Sequence, residues 1–154
     1  MINALNIVNN VLFRAFDENI DVTPMKIQKL VYFIYRDYLK NTGKKLFLEE
    51  FEAWKYGPVV PNIYYAFKHL GANSIRSYIK EPDGKTVLIA DEGNAPELKS
   101  VIDTVWSNCK SYSGIYLSSL THMEGGAWRK AWLDGKRRLL DEEIKEDEIS
   151  YVRH

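Results

Sequence analysis

The chain has 154 residues, 45% hydrophobic and 27% charged, which excludes a disordered polymer and suits one folded domain over 1–154. Twenty-one Lys and Arg balance 21 Asp and Glu, which argues against a protein that holds nucleic acid mainly by counterion release. A single cysteine, Cys109, rules out an internal disulfide and a thiolate zinc site.

In chain order, residues 3–18 read as a helix with Ala4, Val8, Val11, Leu12 and Ala15 on one face. Thr23-Pro24 opens the next helix: threonine caps it, and proline sits where its missing N–H costs nothing. The spacing predicts a buried stripe of Ile27, Leu30, Val31, Ile34 and Tyr38, with Lys26, Lys29, Tyr32, Arg36 and Lys40 off that stripe and Gly43 closing the helix. The two helices form a hairpin turning at 19–22. Residues 52–56 alternate in character and predict a short extended piece. Gly57-Pro58-Val59-Val60-Pro61 then forces a break, because proline removes a donor and restricts the residue before it. Ile63, Tyr64, Phe67 and Leu70 make a short helix ending at Gly71.

Residues 77–80 and 86–90 flank Pro82-Asp83-Gly84, a turn signal between β-prone runs. They predict a small hairpin, with 52–56 as a possible third strand. Leu98, Val101, Ile102, Val105, Trp106 and Cys109 share one face of a further helix. Ser113 caps a helix carrying Tyr116, Leu117 and Leu120, and Gly125-Gly126 breaks it. Trp128 and Trp132 lie one turn apart. Asp141 caps a last helix with Ile144, Glu148 and Val152 along it. The sum is a mostly α (α+β) fold: a bundle of six to seven helices with a small antiparallel β-hairpin or three-stranded minor sheet.

The N-terminus shows no signal-peptide pattern and no apolar run approaches a membrane span of about 20 residues, so the expectation is a cytoplasmic protein with no membrane partner. Catalytic motifs are missing. Histidines stand at 69, 122 and 154 without a zinc-binding spacing, and no phosphate loop or Gly-x-Ser-x-Gly occurs. Cys109 lies on an apolar stripe, the place of an inert thiol. Glu49-Glu50 and Glu142-Glu143 are adjacent, so neither pair faces itself across a helix. The expectation is no enzyme, no cofactor and no metal. Charge is uneven: residues 1–76 carry +3 and residues 77–154 carry −3. The acidic run 141–148 is a solvated helix start or an electrostatic docking edge.

Twenty aromatic residues, ten of them tyrosine, are the positive clue, since Tyr and Trp join large apolar area to one polar tip. They pack a core, line a protein interface, or, with Lys26, Lys29 and Arg36 between them, face single-stranded nucleic acid.

Three blocks carry a resemblance. Met25-Lys26-Ile27-Gln28-Lys29-Leu30-Val31-Tyr32-Phe33, Glu52-Ala53-Trp54-Lys55-Tyr56-Gly57-Pro58-Val59-Val60-Pro61-Asn62-Ile63-Tyr64, and Leu117-Ser118-Ser119-Leu120-Thr121-His122 followed by Ala127-Trp128-Arg129-Lys130-Ala131 resemble, in order, the signatures of the Panacea, or SocA-like, antitoxin domain. Ala127 departs from the proline more usual there. The resemblance implies helices with a minor β element, and members from toxin–antitoxin operons and prophages, many of which neutralise a toxin by direct binding. Some relatives instead act as adaptors that deliver the toxin to a Clp-type protease.

The partner expected here is therefore a cognate toxin, with a Clp-type protease as a second partner in the adaptor case. The candidate partner-binding residues are Tyr32, Tyr35, Trp54, Lys55, Tyr56 and Tyr64. Lys29, Leu30, Gly57, Pro58, Val59, Thr121, His122 and Trp128 are assigned to holding the scaffold. A nucleic-acid-binding autoregulator of the operon and a hydrolase using His122 are the remaining alternatives.

Overall fold

A computed structural model of the chain describes residues 2–153. Its exposed area of 8412 Å² is close to the roughly 8,000 Å² that scaling gives for a chain this size. Among the described residues there are seven α-helices and one two-stranded antiparallel sheet.

Helix α1 (Ala4–Glu18) is capped by Asn3, whose side chain accepts the Asn6 N–H while Asn6 returns the bond. Helix α2 (Pro24–Thr42) starts as expected, with the Thr23 hydroxyl accepting the Lys26 N–H at 3.2 Å and Gly43 ending it. The expected one-sided stripe, however, is corrected. Twelve of its 19 residues are buried, including Lys26, Lys29, Tyr32 and Arg36, whereas Tyr38 is only half-buried. The reason is topological. α2 is the central helix, packed by α1, by α3 (Pro61–Phe67), by α4 (Pro96–Cys109), by α5 (Gly114–Thr121) and by α7 (Asp141–Lys145). A helix surrounded on every side must bury its polar residues too, and each then needs a partner. Lys26 donates to the Lys110 carbonyl at 2.5 Å. Arg36 donates to Asp147 at 3.1 Å and to the Ile149 carbonyl at 2.6 Å.

The sheet is not where the Pro-Asp-Gly turn predicts it. Strands β1 (Glu52–Trp54) and β2 (Gly57–Val59) pair with Glu52 opposite Val59 and Trp54 opposite Gly57, so the forced break is itself a hairpin. The outer edge of β1 is covered by residues 137–139, through Ala53 N–H to the Arg137 carbonyl at 2.7 Å and Leu139 N–H to the Phe51 carbonyl at 3.0 Å. Residues 77–90 do turn at Asp83-Gly84, but their arms join at a single bridge, Lys80 with Val87. Asn9 and Asn10, both buried in α1, take the remaining backbone groups. Asn9 receives the Ile79 N–H and donates to the Ile79 and Leu88 carbonyls, and Asn10 bonds both polar groups of Ala90.

The acidic end is shorter than expected. α7 stops at Lys145, and Glu148 and Val152 lie beyond it in irregular chain. Asp147, 1% exposed, turns inward to accept the Tyr32 hydroxyl, the Ala127 N–H, Arg36 and the Ile149 N–H. Four donors on one buried carboxylate outweigh another helical turn. Leu140, not Asp141, stands at the cap position. Asp141 instead accepts the Tyr35 hydroxyl at 2.9 Å and pairs with Lys45 at 2.7 Å.

Candidate functional site: a clamped hairpin beside an apolar cleft

The three sequence blocks meet at the β1–β2 hairpin. Its turn is tight, with only Lys55 and Tyr56 between the strands. Both keep negative φ, because Asn19 is the one non-glycine residue with positive φ among the described residues. The left-handed step falls on Gly57, at φ 118°. No side chain fits there: a Cβ would stand 2.7 Å from the Thr121 hydroxyl and 2.8 Å from Lys29 Cε.

Around this turn, side chains from three helices hold the backbone carbonyls. Trp128, on α6 (Ala127–Leu133), donates its indole N–H to the Trp54 carbonyl at 2.6 Å. His122 lies 3.1 Å from the Lys55 carbonyl through Nε2 and 2.6 Å from the Ser118 carbonyl through Nδ1, and its ring packs on Trp128 at 3.8 Å between centroids. The Ser118 hydroxyl donates to the Tyr56 carbonyl at 2.5 Å. Lys29 Nζ donates to the Pro58 carbonyl at 3.1 Å. Gln28 brackets Val60, donating to its carbonyl and accepting its N–H. A three-residue strand pair is marginal alone; four carbonyls held by side-chain donors, with His122 packed against a fifth, fix this one in place.

Lys29 is the costly member of the set. It is 2% exposed, and burial pulls its ammonium down to about 7. Leu30 is buried in the core behind it, and Val59 is buried on β2.

The clamp leaves one face outward. Tyr56 is 58% and Tyr64 38% exposed, Lys55 is exposed, and Trp54 is half-buried with its ring edge-on to Tyr64 at 4.9 Å. Between the hairpin, the first half of α2 and α3 lies a cleft of about 460 Å³ whose walls include Met25, Ile63 and Phe67. Four of the six expected contact residues, Trp54, Lys55, Tyr56 and Tyr64, border it. Tyr32 and Tyr35 do not. They are 1% and 2% exposed, their rings pack on Phe51, and their hydroxyls are held by Asp147 and Asp141. Burial raises both phenol pKa values. These two tyrosines belong to the core, and an aromatic surface on α2 is corrected accordingly. The same burial removes Lys26, Lys29 and Arg36 from any basic surface for nucleic acid.

Sequence reasoning missed Gln28 and Ser118 as clamps, and Met25, Ile63, Phe67 and Lys68 as cleft walls. Gln28 and Ser118 lie beside other polar residues, Lys26 and Lys29 in one case and Ser119 in the other, so nothing in the sequence set them apart. Cys109 is buried, with its thiol pushed up to about 12 by burial, and His122 faces backbone carbonyls, so the two do not form a nucleophile–base pair. Among the described residues no three His, Cys, Asp or Glu side chains converge to hold a metal, and no helix is long and apolar enough to cross a membrane.

The family model for the antitoxin SocA-like, Panacea domain matches residues 27–129, from the α2 end of the clamp to the residue after Trp128. The chain belongs to this family. It is similar to the antitoxin SocA of Caulobacter vibrioides (strain NA1000 / CB15N), with 29% identity over 129 residues covering 82% of this chain and 69% of that protein. No solved structure matches it. The matched range holds the clamping side chains from Gln28 to Trp128 and also the outward-facing Trp54, Lys55, Tyr56 and Tyr64.

Proposed function

We propose that this chain is a cytoplasmic antitoxin, a single domain that neutralises a cognate toxin by direct binding through the face formed by Trp54, Lys55, Tyr56 and Tyr64, without covalent chemistry of its own. Family membership supports the antitoxin role. The observation that carries the binding face is the clamp: side chains hold the carbonyls of Trp54, Tyr56, Pro58 and Val60 from behind, with His122 packed against that of Lys55, so the outward aromatics are presented at low entropic cost. Exposed Tyr56 and Tyr64 beside a half-buried Trp54 on a rigid support are residue types that dominate protein interfaces.

Co-expression with the product of the neighbouring open reading frame tests the reading. That product should arrest growth alone, and this chain should restore growth, whereas the Tyr56→Ala/Tyr64→Ala variant should fail to. A neighbour that is harmless alone, or toxic despite this chain, refutes it. Toxin half-life separates occlusion, which leaves it unchanged, from delivery to a protease, which shortens it.

A further inference from the structure

The cleft beside the hairpin says something about what fills it, given the reading that this face receives the toxin. Its walls are apolar at Met25, Ile63 and Phe67, and the charged side chains exposed on its rim, Lys55 and Lys68, are of one sign, while Lys29 is buried in its wall against the Pro58 carbonyl. No Asp or Glu lines it, in a chain where acids and bases are equal in number. Neither rim lysine has a carboxylate within 4.0 Å among the described residues, so their charge is not met from within the chain. Lys55 and Lys68 are exposed and lie on different elements, the hairpin turn and the end of α3. Apolar volume and unpaired positive charge therefore coincide at one place. A cleft of this size lies in the range that encloses a small ligand.

We propose that the cleft takes a segment of the partner polypeptide that pairs a large apolar side chain with a carboxylate one or two positions away. The apolar side chain seats against Ile63 and Phe67, and the carboxylate meets the rim lysines, Lys55 and Lys68. Apolar burial supplies the affinity, and charge complementarity selects the segment and its direction. A nucleic acid fits less well, because counterion release needs more phosphate contacts than two rim lysines provide.

Random heptapeptides displayed on phage and selected on the purified full chain test this. The expected winners place Asp or Glu within two positions of Phe, Leu, Ile or Trp. A synthetic copy of the leading peptide should bind the Lys55→Glu/Lys68→Glu variant weaker on the order of tenfold or more. Its Gln-substituted form should lose a similar factor on the unaltered chain. Both lysines are exposed, so the variant keeps the fold, which circular dichroism checks. Selection of no peptide, selection without acidic enrichment, or equal binding to the charge-reversed variant overturns the proposal. So does binding of a dT12 oligonucleotide at 0.15 M salt that the leading peptide does not displace. The growth assay separates this failure from that of the toxin reading. If no acidic peptide emerges and the Tyr56→Ala/Tyr64→Ala variant still fails to neutralise, the cleft proposal falls and the toxin face stands. If acidic peptides emerge and that variant neutralises fully, the cleft proposal stands and the toxin face falls.

Discussion

Two segments of this chain carry strand-like residues around a tight turn, residues 52–60 and residues 77–90, and they end differently. The first forms paired strands three residues long; the second meets at one bridge. The difference lies in what surrounds them. Residues 52–60 are held through carbonyls by Trp128, His122, Ser118, Lys29 and Gln28, leaving the strands free to pair with each other. Residues 77–90 are held by Asn9 and Asn10, which occupy backbone groups that a ladder would use. The turn itself, where Asp83 accepts the Lys85 and Thr86 N–H groups, stays exposed. A hairpin here is thus decided by where distant donors arrive, and the clamped segment is the one of the two that exposes an aromatic side chain, Tyr56.

The contrast can be broken most severely at two glycines. Gly57→Ala should destabilise by about 3 kcal/mol or more, since positive φ adds to contacts of 2.7 and 2.8 Å. Gly84→Ala, at φ 71° with nothing within 4 Å, should cost only about 1 kcal/mol. Urea unfolding of both variants measures the gap, and equal effects would show that the clamp does not constrain the turn.

Next in size is Asn9→Ala, which strands the Ile79 and Leu88 backbone groups and should cost about 2 kcal/mol. Amide exchange should speed up at 79–88 and stay unchanged at 52–60. The proposed neutralisation should survive, because none of residues 77–90 lines the cleft beside the proposed face.

A smaller effect sharpens the role of Lys29. Its folded pKa, about 7, lies below its ordinary 10.5, so from pH 7 upward the unfolded chain holds the extra proton and stability rises with pH. The penalty of the buried charge is fully present below pH 7. Lys29→Met removes this contribution, so the stability difference between the unaltered chain and the variant should change with pH by up to about 1.4 kcal/mol per unit between pH 7 and 8.5. Unfolding at three pH values in that window checks the sign. A flat difference would place Lys29 in water rather than against the Pro58 carbonyl.

Local chemistry was legible from the residues alone. Thr23-Pro24, Ser113 and Gly43 mark helix ends because a cap is satisfied within a few residues of itself. The apolar face of α4 and the helix through Ile63 and Phe67 were readable for the same reason. The burial of Tyr32, Tyr35 and Arg36 was not, since it depends on Asp147 and Asp141 more than a hundred positions away. Nor was the site's logic. Its acceptors are backbone carbonyls, which carry no residue identity, so the signature residues could be named as scaffold without showing what they grip. Trp54, Lys55, Tyr56 and Tyr64 were found inside the second resembling block, where aromatics crowd, and the cleft beside them was not.

The central claim is that the clamp presents the hairpin and α3 to a partner. Amide hydrogen exchange of the full chain, with and without the product of the neighbouring gene, tests it most directly. The account predicts added protection within residues 54–68 and none at 79–90. Protection confined to 79–90, or to the acidic stretch 141–148, with 54–68 unchanged, would contradict it.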